Sequence, residues 1–194
     1  MSCPSKAVVA VVLAAGRGRR FGSDKRIARL GDGQGLLATT VARAQPHFAQ
    51  LYVALREDDE PQALGLPGHT RVICCADADQ GMGTSLAGAI TQVAALNSQA
   101  SAIAVLLGDM PWLEDQTLLR LVQAAGSSRI VFPVYKGERG HPVIFGRKYW
   151  PQLQGLKGEQ GARAILHEHA HACVGLDVAD PAVLLDVDCP QALR

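Results

Sequence analysis

Lys25 and the residues leading to it have the most chemistry to offer. Residues 8–25 read VVAVVLAAGRGRRFGSDK. Six apolar residues stop at Ala14-Ala15-Gly16, and Arg17, Arg19, Arg20 and Lys25 follow among Gly16, Gly18 and Gly22. Glycine lets backbone N–H groups approach an anion closely, and basic side chains neutralise it. A triphosphate needs backbone donors plus one or two fixed cations, so this order predicts a polyphosphate-binding loop. The two familiar phosphate loops do not fit. A Walker A loop needs Gly-Lys-Ser/Thr, which is missing, and a dinucleotide fingerprint needs a third glycine where Phe21 stands. The plainer alternative is a solvated basic turn.

Asp109 is the second candidate. It follows the apolar run 102–107 in Gly108-Asp109-Met110-Pro111. A carboxylate at the end of a buried strand faces the ligand crevice of an open α/β sheet. It suits Mg²⁺, which takes one or two carboxylates and completes its shell with phosphates and water. The alternative is a turn or capping aspartate ahead of a helix over 114–125, although Glu114 and Asp115 stand closer to that helix start. The third candidate is Asp186-Val187-Asp188. On a strand both carboxylates would share one face; taken alone, the triplet reads as a terminal turn before Pro190. It joins the site only if the fold brings Asp188 beside Asp109.

Two histidine features carry less. His167, His169 and His171 imitate a metal tract, but period-two spacing does not cluster ligands on a helix, and histidines favour a helix's last turn. The reading here is a helix end. His141 before Pro142 fits a turn-packing role and a substrate contact equally well.

Positioning these groups requires alternating elements. Strands are predicted over 7–13, 51–55, 71–75 and 102–107, the first and last apolar enough to be buried on both faces. Helices are predicted from Leu36, Leu37, Thr40, Val41 and Ala44 up to Pro46, over 84–96 and over 114–125. Residues 57–60 read as a solvated acidic turn. After 129 the pattern changes to two strands, 129–135 and 141–145, joined by a glycine-containing turn. Helical stretches near 147–154 and 160–169 follow, and short strands over 172–176 and 184–187 finish the chain. The expected fold is a single α/β domain over 1–194, Rossmann-like and doubly wound, its mostly parallel sheet carrying an antiparallel C-terminal element.

Composition narrows the function classes. The chain has 194 residues, 48% of them hydrophobic, which excludes a disordered protein. Net charge is +1 and only 5% of residues are aromatic, so neither a basic field nor a base-stacking platform points to nucleic acid. Five cysteines without a CxxC pair are not a disulfide framework and favour a reducing compartment. No stretch reaches transmembrane length, and Arg19-Arg20 follows the apolar run where a twin-arginine signal would precede it. The expected setting is the cytoplasm.

In order along the chain, Leu13-Ala14-Ala15-Gly16-x-x-x-Arg20-Phe21-Gly22-x-Asp24-Lys25, Gly81-Met82-Gly83-Thr84-Ser85-Leu86, Gly108-Asp109-Met110-Pro111, Gly140-His141-Pro142-Val143-Ile144-Phe145, Gly158-Glu159-x-Gly161-Ala162-Arg163 and Asp186-Val187-Asp188-Cys189-Pro190 resemble the nucleotidyltransferases that attach a nucleoside monophosphate to molybdopterin. The resemblance covers essentially the whole chain. The double alanine is similar to the molybdenum cofactor cytidylyltransferase branch; the guanylyltransferase branch typically has a second glycine there. Departures are Glu159 in place of an aspartate, Gly83 where a small hydroxyl or alanine is usual, and the tail from Cys189 to Ala192.

The resemblance implies CMP transfer from CTP to the terminal phosphate of molybdopterin or molybdenum cofactor, with release of pyrophosphate. GTP or a sugar-phosphate acceptor are the alternatives. It further implies that Leu13, Ala14, Ala15, Gly16, Gly81 and Ser85 hold the nucleotide, that Arg20 and Lys25 neutralise the triphosphate, and that Asp109 and Asp188 bind Mg²⁺. Gly140, His141 and Pro142 would line the acceptor side. A different class of reading is a non-catalytic carrier that delivers molybdopterin to a client molybdoenzyme. Neither nucleic acid nor membrane is expected as a partner.

Overall fold

The computed structural model describes residues 7–16, 21 and 24–187. Among these residues, eight strands form one mixed sheet around β1 (Val8–Leu13). On one side of it lie β2 (Gln50–Leu55) and β3 (Arg71–Cys74), both parallel to β1. On the other side β4 (Ala102–Leu107) is also parallel. Next comes β7 (Val143–Gly146), antiparallel to β4, and then β5 (Ile130–Tyr135), antiparallel to β7. The pair β6 (Glu138–Arg139) and β8 (Cys173–Asp177) completes the sheet, antiparallel and parallel to β5 respectively.

Two helical layers explain the uninterrupted apolar run of β1. Val8, Ala10 and Val12 face α1 (Leu36–Ala44) and α3 (Asp115–Ala124) through Leu37, Val41, Leu118 and Leu121. Val9 and Val11 face the opposite layer, α2 (Met82–Leu96), α4 (Trp150–Gln154) and α5 (Arg163–Glu168), through Leu86, Ile90, Leu153 and Ile165. Each of Val8 to Val12 is almost fully buried. A strand covered on both faces has no solvent side on which to place polar residues. The doubly wound, mostly parallel architecture with an antiparallel C-terminal element is the one expected.

The C-terminal third differs in detail. The turn after β5 is a tight hairpin at Lys136 (φ 50°) and Gly137 (φ 83°), and β6 is a two-residue strand that was not expected. Then Gly140–Pro142, with a cis bond before Pro142, leads the chain to β7 between β4 and β5. Residues 184–187 are not a strand. Asp180 caps a 3-10 turn, Pro181–Leu184, by accepting from the Ala182 N–H (2.9 Å), and the following residues pair with no strand. The Asp180–Pro181 start favours a turn over extended pairing. The second helical stretch is shorter than expected, Arg163–Glu168, and His169 stands at its C-cap, so the histidine run does straddle a helix end. No described helix is long and apolar enough to cross a membrane.

Candidate active site

β1 is where the chain order reverses: it continues to β2 on one side and returns as β4 on the other. Ligands of open α/β sheets bind at such a switch point, beyond the carboxyl ends of the strands. Here Leu13 and Leu107 are direct register partners, so the loops after them leave the sheet side by side. The Gly108 N–H donates to the Leu13 carbonyl (3.0 Å), and a Cβ at Gly108 would sit 3.1 Å from Leu37. A Cβ there would also lie 3.0 Å from the Leu13 carbonyl, so a larger residue at 108 requires its neighbours to give by a few tenths of an ångström.

Lys25 opens a 3-10 turn, Lys25–Ile27, capped by Asp24, whose Oδ1 accepts from the Arg26 N–H. That turn aims the Lys25 ammonium at Asp109 Oδ2, 2.5 Å away, and the two side chains are only 20% and 15% exposed. The Val187 carbonyl lies 3.5 Å from the same ammonium, and the Val187 N–H donates to the Asp109 carbonyl (3.1 Å). Val187 itself is buried with Phe21, Leu30 and Leu36. The tail thus crosses the Asp109 loop and sets Asp186 at the cleft, with an anchored apolar residue in place of strand pairing. Arg20 and Asp188 lie outside the described residues.

A cleft of about 510 Å³ opens here, lined by Leu13, Ala14, Ala15, Gly16, Lys25, Gly81, Ser85 and Asp109 as expected, and by Arg26, Arg56, Asp79, Met82, Glu159 and Asp186 besides. Gly81 (φ +114°) precedes α2. A Cβ on it would fall 2.5 Å from the Gly158 backbone, and one on Gly83 would fall 2.2 Å from the Gln160 carbonyl. The Gly83 N–H donates to the Gly158 carbonyl (2.8 Å), and the Gly158 N–H donates to Thr84 Oγ1 (3.0 Å). Backbone therefore lies directly on backbone, and this contact brings Glu159 to the cleft. The Ser85 hydroxyl donates to the Gly81 carbonyl (3.2 Å).

A second cleft of about 550 Å³ adjoins the first and shares Leu13, Met82 and Leu107 with it. Its walls are apolar (Leu86, Val105, Val143, Phe145, Leu166), with Glu138, Arg139 and Arg163 among its lining residues. Gly140 and His141 line it; Pro142 is buried and does not. The His141 N–H donates to the Val183 carbonyl (2.9 Å), while its Nδ1 is buried without a hydrogen-bond partner among the described residues. Burial pushes the His141 pKa below the ordinary imidazole value, against the upward pull of Asp109 and Asp186; Arg139 lowers it further.

A divalent cation fits the carboxylates on view. Asp109 Oδ2 is held by Lys25, but its Oδ1 is buried with no hydrogen-bond partner among the described residues, an arrangement that a cation would relieve. No cluster of three His, Cys, Asp or Glu side chains forms a complete metal cage among the described residues. A hard cation that draws its remaining ligands from water and nucleotide oxygens needs none.

Sequence reasoning missed Arg56, Asp79 and the role of Arg26. The acidic turn 57–60 is also not simply solvated: the Asp59 carboxylate, 8% exposed, accepts from Arg26 and from the Arg56 N–H. The available signal was position, because Arg56 follows directly on β2 and so stands at the same sheet edge as Ala14.

Fold and cleft together define an α/β protein with a cleft at the switch point of its sheet, a cation–carboxylate pair in that cleft and an adjoining second cleft. Residues 10–173 match the model of the MobA-like NTP transferase domain, and the chain belongs to that family, a family of nucleotidyltransferases. It is 30% identical over 193 residues to the purine catabolism protein PucB of Bacillus subtilis, covering 95% of this chain and 93% of that one. It is also 30% identical over 195 residues to a molybdenum cofactor guanylyltransferase of Shewanella loihica, covering 96% and 94%. Among solved structures, the Rv0371c homologue from Mycobacterium sp. strain JC1 superposes with a TM-score of 0.82 at 31% identity, covering 96% and 93%. The Mycobacterium tuberculosis Rv0371c complex with manganese superposes at 0.77 with 28% identity, covering 94% and 93%.

Proposed function

We propose that the protein transfers CMP from CTP to the terminal phosphate of molybdopterin or molybdenum cofactor, releasing pyrophosphate, with Mg²⁺ as the metal. The active unit is one domain over 1–194, working in the cytoplasm. The observation that carries this reading is the pairing of two clefts across Leu13, Met82 and Leu107. One has the small-residue floor, the Lys25 cation and the carboxylates that a metal–triphosphate needs; the other has apolar walls and two guanidiniums, suited to a flat heterocycle bearing a phosphate. The Ala14-Ala15 pair supports CTP over GTP through the branch that it resembles.

The acceptor phosphate is already an anionic nucleophile, so the step needs no general base. One of its oxygens forms a bond to the α-phosphorus of the nucleotide in line with the bond to the bridging oxygen, which breaks and leaves with pyrophosphate. Catalysis is then positioning and charge neutralisation. Backbone groups of Ala14 to Gly16 and of Gly81 hold the nucleotide. Lys25, now on Asp109, turns to the phosphates, and Arg20 joins it to stabilise the departing pyrophosphate. Asp109, with Asp186 or Asp188, would hold the metal, which would supply positive charge against the negative charge of the nucleotide phosphates. His141 and Gly140 orient the acceptor.

The test is Mg²⁺-dependent pyrophosphate release with molybdopterin and each of the four nucleoside triphosphates. CTP should be turned over fastest. Preference for GTP would move the protein to the activity in the name of its Shewanella relative, and molybdopterin binding without release from any triphosphate would make it a carrier.

A further inference from the structure

Arg26 and Arg56 line the nucleotide cleft, yet their guanidiniums are committed to the protein. Arg26 is forked twice: Nη1 and Nη2 donate to the two oxygens of Asp59 (2.5 and 2.7 Å), while Nε and Nη2 donate to those of Asp24 (2.9 and 2.7 Å). Two carboxylates thereby fix the guanidinium plane. Burial alone would lower its pKa, but hydrogen bonds to Asp24 and Asp59 hold it above the ordinary arginine value. The fixed plane sends Nη1 to the Ala14 carbonyl at 2.9 Å. Arg56 reaches the next carbonyl, held by one short carboxylate contact instead of two forks. Its Nη2 pairs with Asp79 (2.7 Å), and its Nη1 donates to the Ala15 carbonyl (3.2 Å). Asp59 joins the two, because its Oδ2 also accepts from the Arg56 N–H (2.8 Å).

The consequence follows from the peptide bond. A trans peptide is planar, and its C=O and the next residue's N–H point in opposite directions. Fixing the Ala14 carbonyl therefore fixes the Ala15 N–H, and fixing the Ala15 carbonyl fixes the Gly16 N–H, each aimed away from its guanidinium. The Ala14 N–H is already used, donating to the Ala54 carbonyl (3.0 Å). The next two residues, Ala15 and Gly16, both line the cleft.

We propose that Arg26 and Arg56 are positioning residues for the nucleotide: through the carbonyls of Ala14 and Ala15 they aim the Ala15 and Gly16 N–H groups at it. Their own charges are neutralised by Asp24, Asp59 and Asp79, so neither serves as a phosphate cation. The inference rests on triphosphate binding in this cleft, and not on which base or acceptor is used. Such a role depends on the fork and not on the charge, so Lys cannot replace Arg.

The experiment measures Kd for each nucleoside triphosphate with Mg²⁺ by calorimetry, together with KM and kcat in the molybdopterin assay and the melting temperature. Arg26→Lys and Arg26→Ala should both weaken binding of the preferred triphosphate by about ten- to hundredfold, the usual size of an outer-partner loss. The KM of the acceptor and kcat at saturating nucleotide should stay within about threefold, because N–H contacts made equally to ground and transition state appear in KM. Arg26→Lys binding within about twofold of wild type overturns the inference, as does a parallel rise in both KM values that tracks the melting temperature. If Arg26 variants do not fold, Arg56→Lys and Asp59→Asn decide it by the same criterion. Tight triphosphate binding without turnover of molybdopterin sinks the acceptor reading and leaves this test intact. No triphosphate binding by the wild-type protein sinks both.

Discussion

Replacing Lys25 by Met tests the centre of the site. The Lys25 ammonium is 2.5 Å from Asp109 Oδ2, and the other oxygen, Oδ1, has no hydrogen-bond partner among the described residues. Met keeps the stem and removes the charge, leaving a carboxylate that is 15% exposed with Oδ1 unpartnered and Oδ2 without its ammonium. Leaving such a buried polar group unsatisfied costs about 1–3 kcal/mol, or a drop of roughly 2–12 °C in melting temperature for a domain of this size. Turnover should fall further, by about 10²–10³ (~3–4 kcal/mol), the loss on removing one transition-state donor. Asp109→Asn should lose turnover to a similar extent. The double variant Lys25→Met with Asp109→Asn removes cation and anion together, so its melting temperature should recover toward wild type while its turnover is no worse than the poorer single. Pyrophosphate release and thermal melts on the four proteins check both parts. Either single variant keeping more than half of wild-type turnover, or a double variant whose stability losses simply add, would refute the reasoning.

Two further outcomes follow from packing and titration. Gly83→Ala places a Cβ 2.2 Å from the Gln160 carbonyl and 2.9 Å from that of Gly158; both are backbone, so the contact must open, with a stability loss of about 1–3 kcal/mol and a higher nucleotide KM as Glu159 moves. An unchanged melting temperature would show that the 158–160 segment yields freely. Burial, with Cys74 beside it, pushes the Cys75 thiol up to about 11, and Cys75 is buried while Cys74 is exposed. The raised thiol stabilises the fold fully below its ordinary value near 9, and this contribution is lost as pH rises from there through about 11. Mass-resolved alkylation at pH 8 should label Cys74 and spare Cys75 in the folded protein; equal labelling counts against the burial.

The layered α/β fold was readable because β1 and β4 are apolar at successive positions and the helices between strands carry one apolar stripe each. The site was readable where chemistry sits at a strand end: Leu13 to Gly16 and Asp109 both emerge at the switch point, and Lys25 reaches Asp109 from 84 residues away. Less of the tail was visible. Residues 184–187 are apolar enough to read as a short strand, yet Asp180 and Pro181 set a turn, and Val187 is held by a pocket of Phe21, Leu30 and Leu36. No local pattern announces such a pocket. Asp59 looked like one solvated charge among four, because Arg26 meets it from 33 residues away, only after β1 and β2 pair.

By itself the sequence determined what depends on neighbours along the chain: which segments bury both faces, where glycine allows close approach, and which loops carry charge. The tertiary structure alone decided which charges meet. It gave Lys25 to Asp109 and committed Arg26 to Asp59 and the Ala14 carbonyl. An isolated charge is interchangeable in sequence, whereas a buried one must be paired in space. That pairing is set by strand order and register, which bring together residues that no spacing rule connects.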